Sequence, residues 1–280
     1  MPVQTTRAQT TVTLPLVVAH RGASADVPEH TLAAYAKALA DGADGLECDV
    51  RLTRDGHLVC VHDRRVDRTS DGRGVVSTLE LADLEQLDFA SWAQPGGAYD
   101  SIEPGGRGVL TLSRLLDLVA SSPRPVQLAI ETKHPTRWAG RVERSLVDLL
   151  SAHDLARPRP GQGSSVRVMS FSTLALRRIT DLAPALPLVW LTSRARLGIA
   201  TPRAVAGAVA GLPSGVDGFG PSIGLLRERP ELVAAAHERG RSVHVWTVDS
   251  AADAELCARL GVDVVITNRP AAVRAALHGS

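Results

Sequence analysis

Nothing in the sequence suits a disulfide framework or a cysteine-rich metal site: Cys48, Cys60 and Cys257 are an odd number without CxxC spacing. That scarcity fits a reducing compartment. Net charge is almost absent as well. With 31 Lys and Arg against 30 Asp and Glu, the formal charge is +1, so no overall field draws the chain to nucleic acid or to an anionic membrane. Any anion site must therefore be local. Long apolar runs are also missing, since none approaches the roughly 20 residues of a membrane span. The run Leu14 to Ala19 followed by Ala23-Ser24-Ala25 has the outline of a secretory leader, but its apolar part is only about six residues. Cleavage there would remove His20 and Arg21. The segment is read as mature, cytoplasmic sequence.

What is present is an alternation. Short β-rich apolar runs recur between longer Ala/Leu/Arg segments of helical period, the rhythm of repeated βα units. Candidate strands are Leu16–Ala19, Gly45–Val50, Val126–Thr132, Val166–Phe171, Leu188–Thr192, Gly218–Pro221, Val243–Val248 and Val262–Thr267. Thr31 to Leu39, Leu112 to Ala120, Trp138 to His153 and Pro230 to Gly240 read as intervening helices. Leu58–His62 follows the second strand after only a short turn at Asp55-Gly56. A parallel neighbour needs a crossover of a dozen or more residues, so this run returns as the antiparallel arm of a hairpin. The other runs predict an α/β (β/α)8 TIM barrel, one domain over residues 1–280. The Gly- and Asp-rich stretch at about 64–108 reads as an insertion after the hairpin. A two-residue turn pairs Arg54 with His57, sets His62 opposite Asp49, and points Cys48 and Cys60 to opposite faces, away from disulfide formation.

Barrel chemistry lies at the C-terminal ends of the strands. His20-Arg21, Glu47 with Asp49, Glu131 with Lys133, and Trp246 with Asp249 fall there. Acids at i and i+2 on a strand usually mark a solvated face. Inside a small barrel, however, Glu47, Asp49 and Glu131 would suffer repulsion and desolvation unless a cation neutralised them. Their hard oxygen donors favour one divalent cation, Mg2+ or Ca2+. His20 and His62 beside Arg21 and Lys133 form a set suited to phosphoryl chemistry, with cations for the nonbridging oxygens and imidazoles to move protons. Trp246 is a candidate wall for substrate or a buried structural residue. Arg137, Arg141 and Arg144 read as a solvated helix face.

The segment "VVAHRGASADVPEHTLAAYAKALADGADGLECDVRLTRDGHLVCVHD" resembles the glycerophosphodiester phosphodiesterase family, with its HRG opening, PENT-like segment, ExD strand and HD after a TRDG turn. The likeness continues through "DRTSDGRG", "LTLSRLLDL", "AIETK", "MSF", "VHVWTVD" and "GVDVVITNRP". This resemblance implies a phosphoric diester hydrolase that releases sn-glycerol 3-phosphate and an alcohol from a small glycerophosphodiester. It implies His20 and His62 as the acid/base pair, Arg21 and Lys133 as phosphate contacts, and Glu47, Asp49 and Glu131 as metal ligands. It also implies a cyclic 1,2-phosphate formed by attack of the glycerol 2-hydroxyl and opened by water, with either histidine as the base. Two positions depart from the pattern, His30 in place of Asn in PENT and Asp249 where Asn is common after WTV. Neither is expected to touch the ligands. A lysophospholipase D-like diesterase is the alternative enzyme, but its apolar groove would have to come from Phe89, Trp92 and Tyr99. A catalytically dead barrel that binds phosphorylated ligands is the non-enzyme alternative, and both histidines speak against it.

Overall fold

The structure, a computed structural model, describes residues 13–92, 106–138, 140–157, 164–197, 207 and 209–279. The strands are β1 (Leu16–His20), β2 (Gly45–Leu52), β3 (Leu58–Cys60), β4 (Gln127–Thr132), β5 (Val166–Ser170), β6 (Leu188–Thr192), β7 (Gly218–Pro221), β8 (Ser242–Val245) and β9 (Val264–Thr267). Their order is β1-β9-β8-β7-β6-β5-β4-β2-β3, and β1 also pairs with β2. All pairings are parallel except β2 with β3, so β3 hangs outside a closed ring of eight parallel strands. This is the expected (β/α)8 barrel. The run that mimics a leader is its first strand.

Helices fill the crossovers because the sequence supplies apolar faces and caps. Thr31, Thr111, Ser172, Ser222 and Ser250 each accept the backbone N–H three residues on, satisfying a donor that the first helical turn leaves free. Inside the ring, Val18, Ala129, Met169, Val189, Leu191, Val264 and Ile266 form a small apolar plug. Larger clusters fill the space between strands and helices. The helix expected from Trp138 begins only at Arg141, because Gly140 stands before it in the left-handed region (φ 81°).

After the hairpin the chain makes its excursion and returns against β3, where Val59 bridges Thr111 and the Cys60 amide donates to Leu110 O at 2.8 Å. Val59, Val61, Val66, Val76, Leu84, Phe89 and Val109 pack into a satellite cluster, so the described part of the excursion is anchored on the hairpin. Phe89 is buried there and offers no lipid-facing wall. Trp92 is partly exposed, and Tyr99 lies outside the described residues. Among the described residues no helix is long and apolar enough to cross a membrane.

The hairpin register differs from the expected one by a single residue. Val50 pairs with Cys60, Arg51 with Val59 and Leu52 with Leu58, while the Thr53 amide donates to His57 O at 2.9 Å. Arg54, Asp55 and Gly56 therefore form a three-residue loop, with Gly56 at φ 96° supplying the left-handed residue that such loops need. Val61, not His62, faces Asp49, its amide donating to Asp49 O at 3.0 Å. A one-residue slip reverses every facing. Cys48 and Cys60 consequently share a face, with their thiols in hydrogen-bond reach of each other as free cysteines.

Candidate active site

Strand register assembles the carboxylates. His20 lies level with Glu47 across β1 and β2, and Asp49 lies level with Glu131 across β2 and β4. Glu47 and Asp49, two apart on one strand, share the inward face. Oxygens of Glu47, Asp49 and Glu131 come within 4.8 Å of one another, and all three residues are buried. Burial, then the charge of Asp49, raises Glu47 well above the usual carboxylate range and pushes Glu131 up to about 7. Burial also opposes charge on Asp49. The His30 hydrogen bond and the charges of Lys133 and Arg21 override it and hold Asp49 well below the usual range. Asp49 is thus the member of the trio that keeps its charge, while Glu47 and Glu131 hold protons more readily than free carboxyls.

Two cations face this cluster. Lys133 Nζ lies 2.8 Å from Glu131 Oε1 and 3.2 Å from Asp49 Oδ1, and Arg21 Nε lies 2.8 Å from Asp49 Oδ2. The Asp49 contacts are ion pairs without hydrogen-bond alignment, which leaves the buried Asp49 Oδ1 and Arg21 Nε without hydrogen-bond partners. A buried carboxylate oxygen with no donor, beside two further hard oxygen donors, fits a divalent cation such as Mg2+ or Ca2+. Arg21 reaches the site because the chain leaves β1 through two left-handed residues, Arg21 (φ 59°) and Gly22 (φ 84°). A Cβ on Gly22 would sit 2.6 Å from the Ala34 backbone, so only glycine lets this turn press against the first helix.

Each candidate histidine is tethered through Nδ1. The His20 tether is Asn268 Oδ1 at 2.7 Å, and its Nε2 lies 3.9 Å from Glu47 Oε2. Burial, then Arg21, draws its pKa down to about 4. His62 comes in despite the shifted register because Arg51 Nε and Nη2 grip its carbonyl at 3.0 and 2.7 Å. Its Nδ1 lies 2.6 Å from Asp63 Oδ1. Burial lowers its pKa, as do Lys133 and Arg21, against the pull of Asp49 and Asp63. Trp246 packs edge-on to Phe171 at 5.3 Å, donates its indole N–H to Gly220 O at 2.9 Å, and borders the apolar plug.

Of the two departures from the family pattern, His30 touches a proposed ligand, contrary to expectation, while Asp249 bonds Asn268 and not a ligand, as expected. His30, at φ 62°, sets Nε2 3.0 Å from Asp49 Oδ2 and Nδ1 2.8 Å from the Tyr35 hydroxyl. Asp249 Oδ2 accepts the Asn268 side-chain amide at 2.7 Å while Oδ1 accepts the Asn268 backbone N–H at 2.8 Å. That orients Asn268 Oδ1 toward His20. Helix capping is untouched, because Thr31 provides it. Sequence reading also missed a chain of ion pairs across the mouth. Arg68 clamps Glu29 with both Nη atoms at 2.9 and 2.8 Å and holds Asp63 through Nε at 2.6 Å, while Glu29 also meets Arg21 at 3.2 Å. The only hint lay in the quoted motifs, where Glu29 belongs to "PEH" and Arg68 to "DRTSDGRG".

Comparison with known proteins identifies the family. The profile of the glycerophosphoryl diester phosphodiesterase family matches residues 20–272. A protein named probable glycerophosphodiester phosphodiesterase 1 from Mycobacterium tuberculosis is 47% identical over 268 residues, 94% of this chain and 93% of its own. A glycerophosphodiester phosphodiesterase of Bacillus subtilis is 35% identical over 260 residues, covering 91% of this chain and 84% of that protein. A phosphodiesterase from Oleispira antarctica, solved with the product sn-glycerol-3-phosphate, superposes with a TM-score of 0.75 at 26% identity, over 95% of this chain and 97% of that one. A closed barrel, its carboxylate cluster with two tethered histidines, and this kinship place the chain in the glycerophosphoryl diester phosphodiesterase family, as a phosphoric diester hydrolase.

Proposed function

We propose that the protein hydrolyses small glycerophosphodiesters to sn-glycerol 3-phosphate and an alcohol, using one divalent cation and two histidines. The observation that carries this reading is the convergence of His20, His62, Arg21 and Lys133 on the buried trio Glu47, Asp49 and Glu131. A divalent ion held by the trio would supply the positive charge that acidifies the glycerol 2-hydroxyl and offsets phosphate charge. Arg21 and Lys133 bind the nonbridging phosphate oxygens, and Trp246 walls the glycerol or alcohol.

The tethers divide the proton work. Asn268 Oδ1 can only accept, so His20 carries its proton on Nδ1 and keeps a lone pair on Nε2. His20 is thus the base that takes the 2-hydroxyl proton. That hydroxyl attacks phosphorus in line, and the P–O bond to the alcohol breaks. His62, paired with the Asp63 carboxylate, is the acid that protonates the departing oxygen. The bound phosphate's negative charge favours its protonated form. Water then opens the cyclic 1,2-phosphate with the histidine roles reversed.

Free, buried cysteines support a cytoplasmic setting, and near-zero net charge supports small-molecule partners over nucleic acid or stable membrane insertion. Residues 1–280 act as one catalytic domain with its insertion at about 64–108. Phosphorus NMR of glycerophosphocholine with purified protein tests the reading: glycerol 3-phosphate should accumulate, stop on adding chelator and resume on adding Mg2+ or Ca2+. Equal turnover in chelator would remove the metal from the reaction.

A further inference from the structure

Beside the carboxylate trio lies a narrow cleft that the reaction above leaves unassigned. Its walls include Arg51, Arg64, Lys133, Arg137 and Trp138, and no acidic side chain lines it. Lys133 is committed to Asp49 and Glu131. Arg64 and Arg137 have no carboxylate partner among the described residues, and Arg51 spends its fork on the neutral carbonyl of His62. Arg137 is held over the Trp138 ring, 4.9 Å from its centroid, and Arg141 lies 5.2 Å from the same centroid. Stacking of this kind orients a guanidinium. The Trp138 indole N–H is buried without an acceptor. Two guanidinium groups without carboxylate partners among the described residues, a third whose fork is on a carbonyl, and one orphan donor line a single cleft.

Position ties this cleft to the reaction. Arg51 stands two residues beyond Asp49 on the same strand face, about 7 Å further toward the barrel mouth. It also holds His62, the histidine assigned to protonate the departing oxygen. The cleft therefore lies on the His62 side of the site.

We propose that this cleft is a subsite for the leaving alcohol, selecting glycerophosphodiesters whose alcohol ends in an anionic group such as a phosphate monoester. This inference rests on the reaction proposed above. The test compares kcat/KM for glycerophosphocholine, glycerophosphoglycerol and glycerophosphoglycerol bearing a terminal phosphate. At low salt the phosphorylated diester should exceed the neutral one by at least about tenfold, the effect of one well-placed charge-assisted contact. Raising salt should shrink that ratio. In Arg64→Gln and Arg137→Gln the preference should collapse through KM with kcat preserved, since the contact binds ground and transition states alike. Turnover of the neutral diester should stay within about twofold of the parent, as expected for exposed surface changes. Calorimetry with phosphonate analogues of the neutral and phosphorylated diesters gives the same comparison without turnover. Equal affinities for both analogues, or variants that slow all three substrates alike, would overturn the subsite. Absence of turnover together with charge-selective binding would overturn the reaction and leave the subsite standing.

Discussion

Titrating Mg2+ or Ca2+ into the metal-free protein should release protons, in a quantity set by the carboxylate trio. Two unit charges 4.8 Å apart repel by about 3–4 kcal/mol at an effective dielectric near 20. Burial, then this repulsion from Asp49, against the pull of Lys133, brings Glu131 up from 4.5 to about 7. A divalent ion reverses the balance, because its ligands bind as carboxylates. Glu131 alone should then give up about 0.9 proton at pH 6, about 0.5 at pH 7 and about 0.1 at pH 8. Glu47, held well above the usual range by burial and then by Asp49, adds to this release. Calorimetry in buffers of different ionisation enthalpy counts these protons. In Glu131→Gln the part that fades between pH 6 and 8 should vanish, and the Glu47 part should remain wherever the ion still binds. A binding heat at pH 6 that is independent of the buffer would refute a proton-sharing trio, and so would binding that is indifferent to pH.

Three further outcomes are expected. His62→Ala should lower kcat on glycerophosphocholine by about 10²–10⁴-fold with little change in KM, and a nitrophenyl leaving group should restore most of the loss. His20→Ala should be as impaired on both esters, and the opposite pattern would exchange the acid and base assignments. Asp249→Ala frees the Asn268 amide to turn, so kcat and the pH–rate profile should change while the metal Kd, read by calorimetry, stays near the parent's. An unchanged profile would remove Asp249 from the positioning of His20. His244 is buried at the other end of the barrel, and burial, then Arg167, holds its pKa well below 6.5. Below pH 6.5 the unfolded chain takes up a proton that the folded chain refuses. Stability is therefore complete above that pH and falls as pH drops toward the folded value, by at most about 1.4 kcal/mol per pH unit from this group. Urea midpoints between pH 7.5 and 5 should show a flatter loss in His244→Gln, and an unaltered slope would contradict the linkage.

The barrel was legible because each stave is a short apolar run and each crossover a helix with a Ser or Thr at its start. The convergence of Glu47, Asp49 and Glu131 was legible for a related reason: residues two apart on a stave share its inward face, and level positions on neighbouring staves meet there. The hairpin register was not, because Asp55-Gly56 fits both a two-residue turn and a three-residue loop, and only the backbone of Gly56 decides between them. The contact of His30 with Asp49 was not legible for a similar cause. A left-handed backbone at a non-glycine residue sends its ring 3.0 Å from Asp49, and no periodicity encodes that. The Glu29–Arg68–Asp63 chain joins residues up to 39 apart in sequence, a pairing that depends on how the excursion folds back.

The hydrogen bond from His20 to Asn268 spans 248 positions of the chain, nearly its whole length. The candidate base stands on the first stave, and the residue that fixes its tautomer follows the last. Contacts of such sequence separation carry the largest loop-closure cost. The base acquires its orientation only when the two ends of the ring meet. Turnover is thereby a report on circular completeness: a chain whose terminal stave frays can keep its carboxylate trio, which β2 and β4 assemble by themselves, and still fall silent.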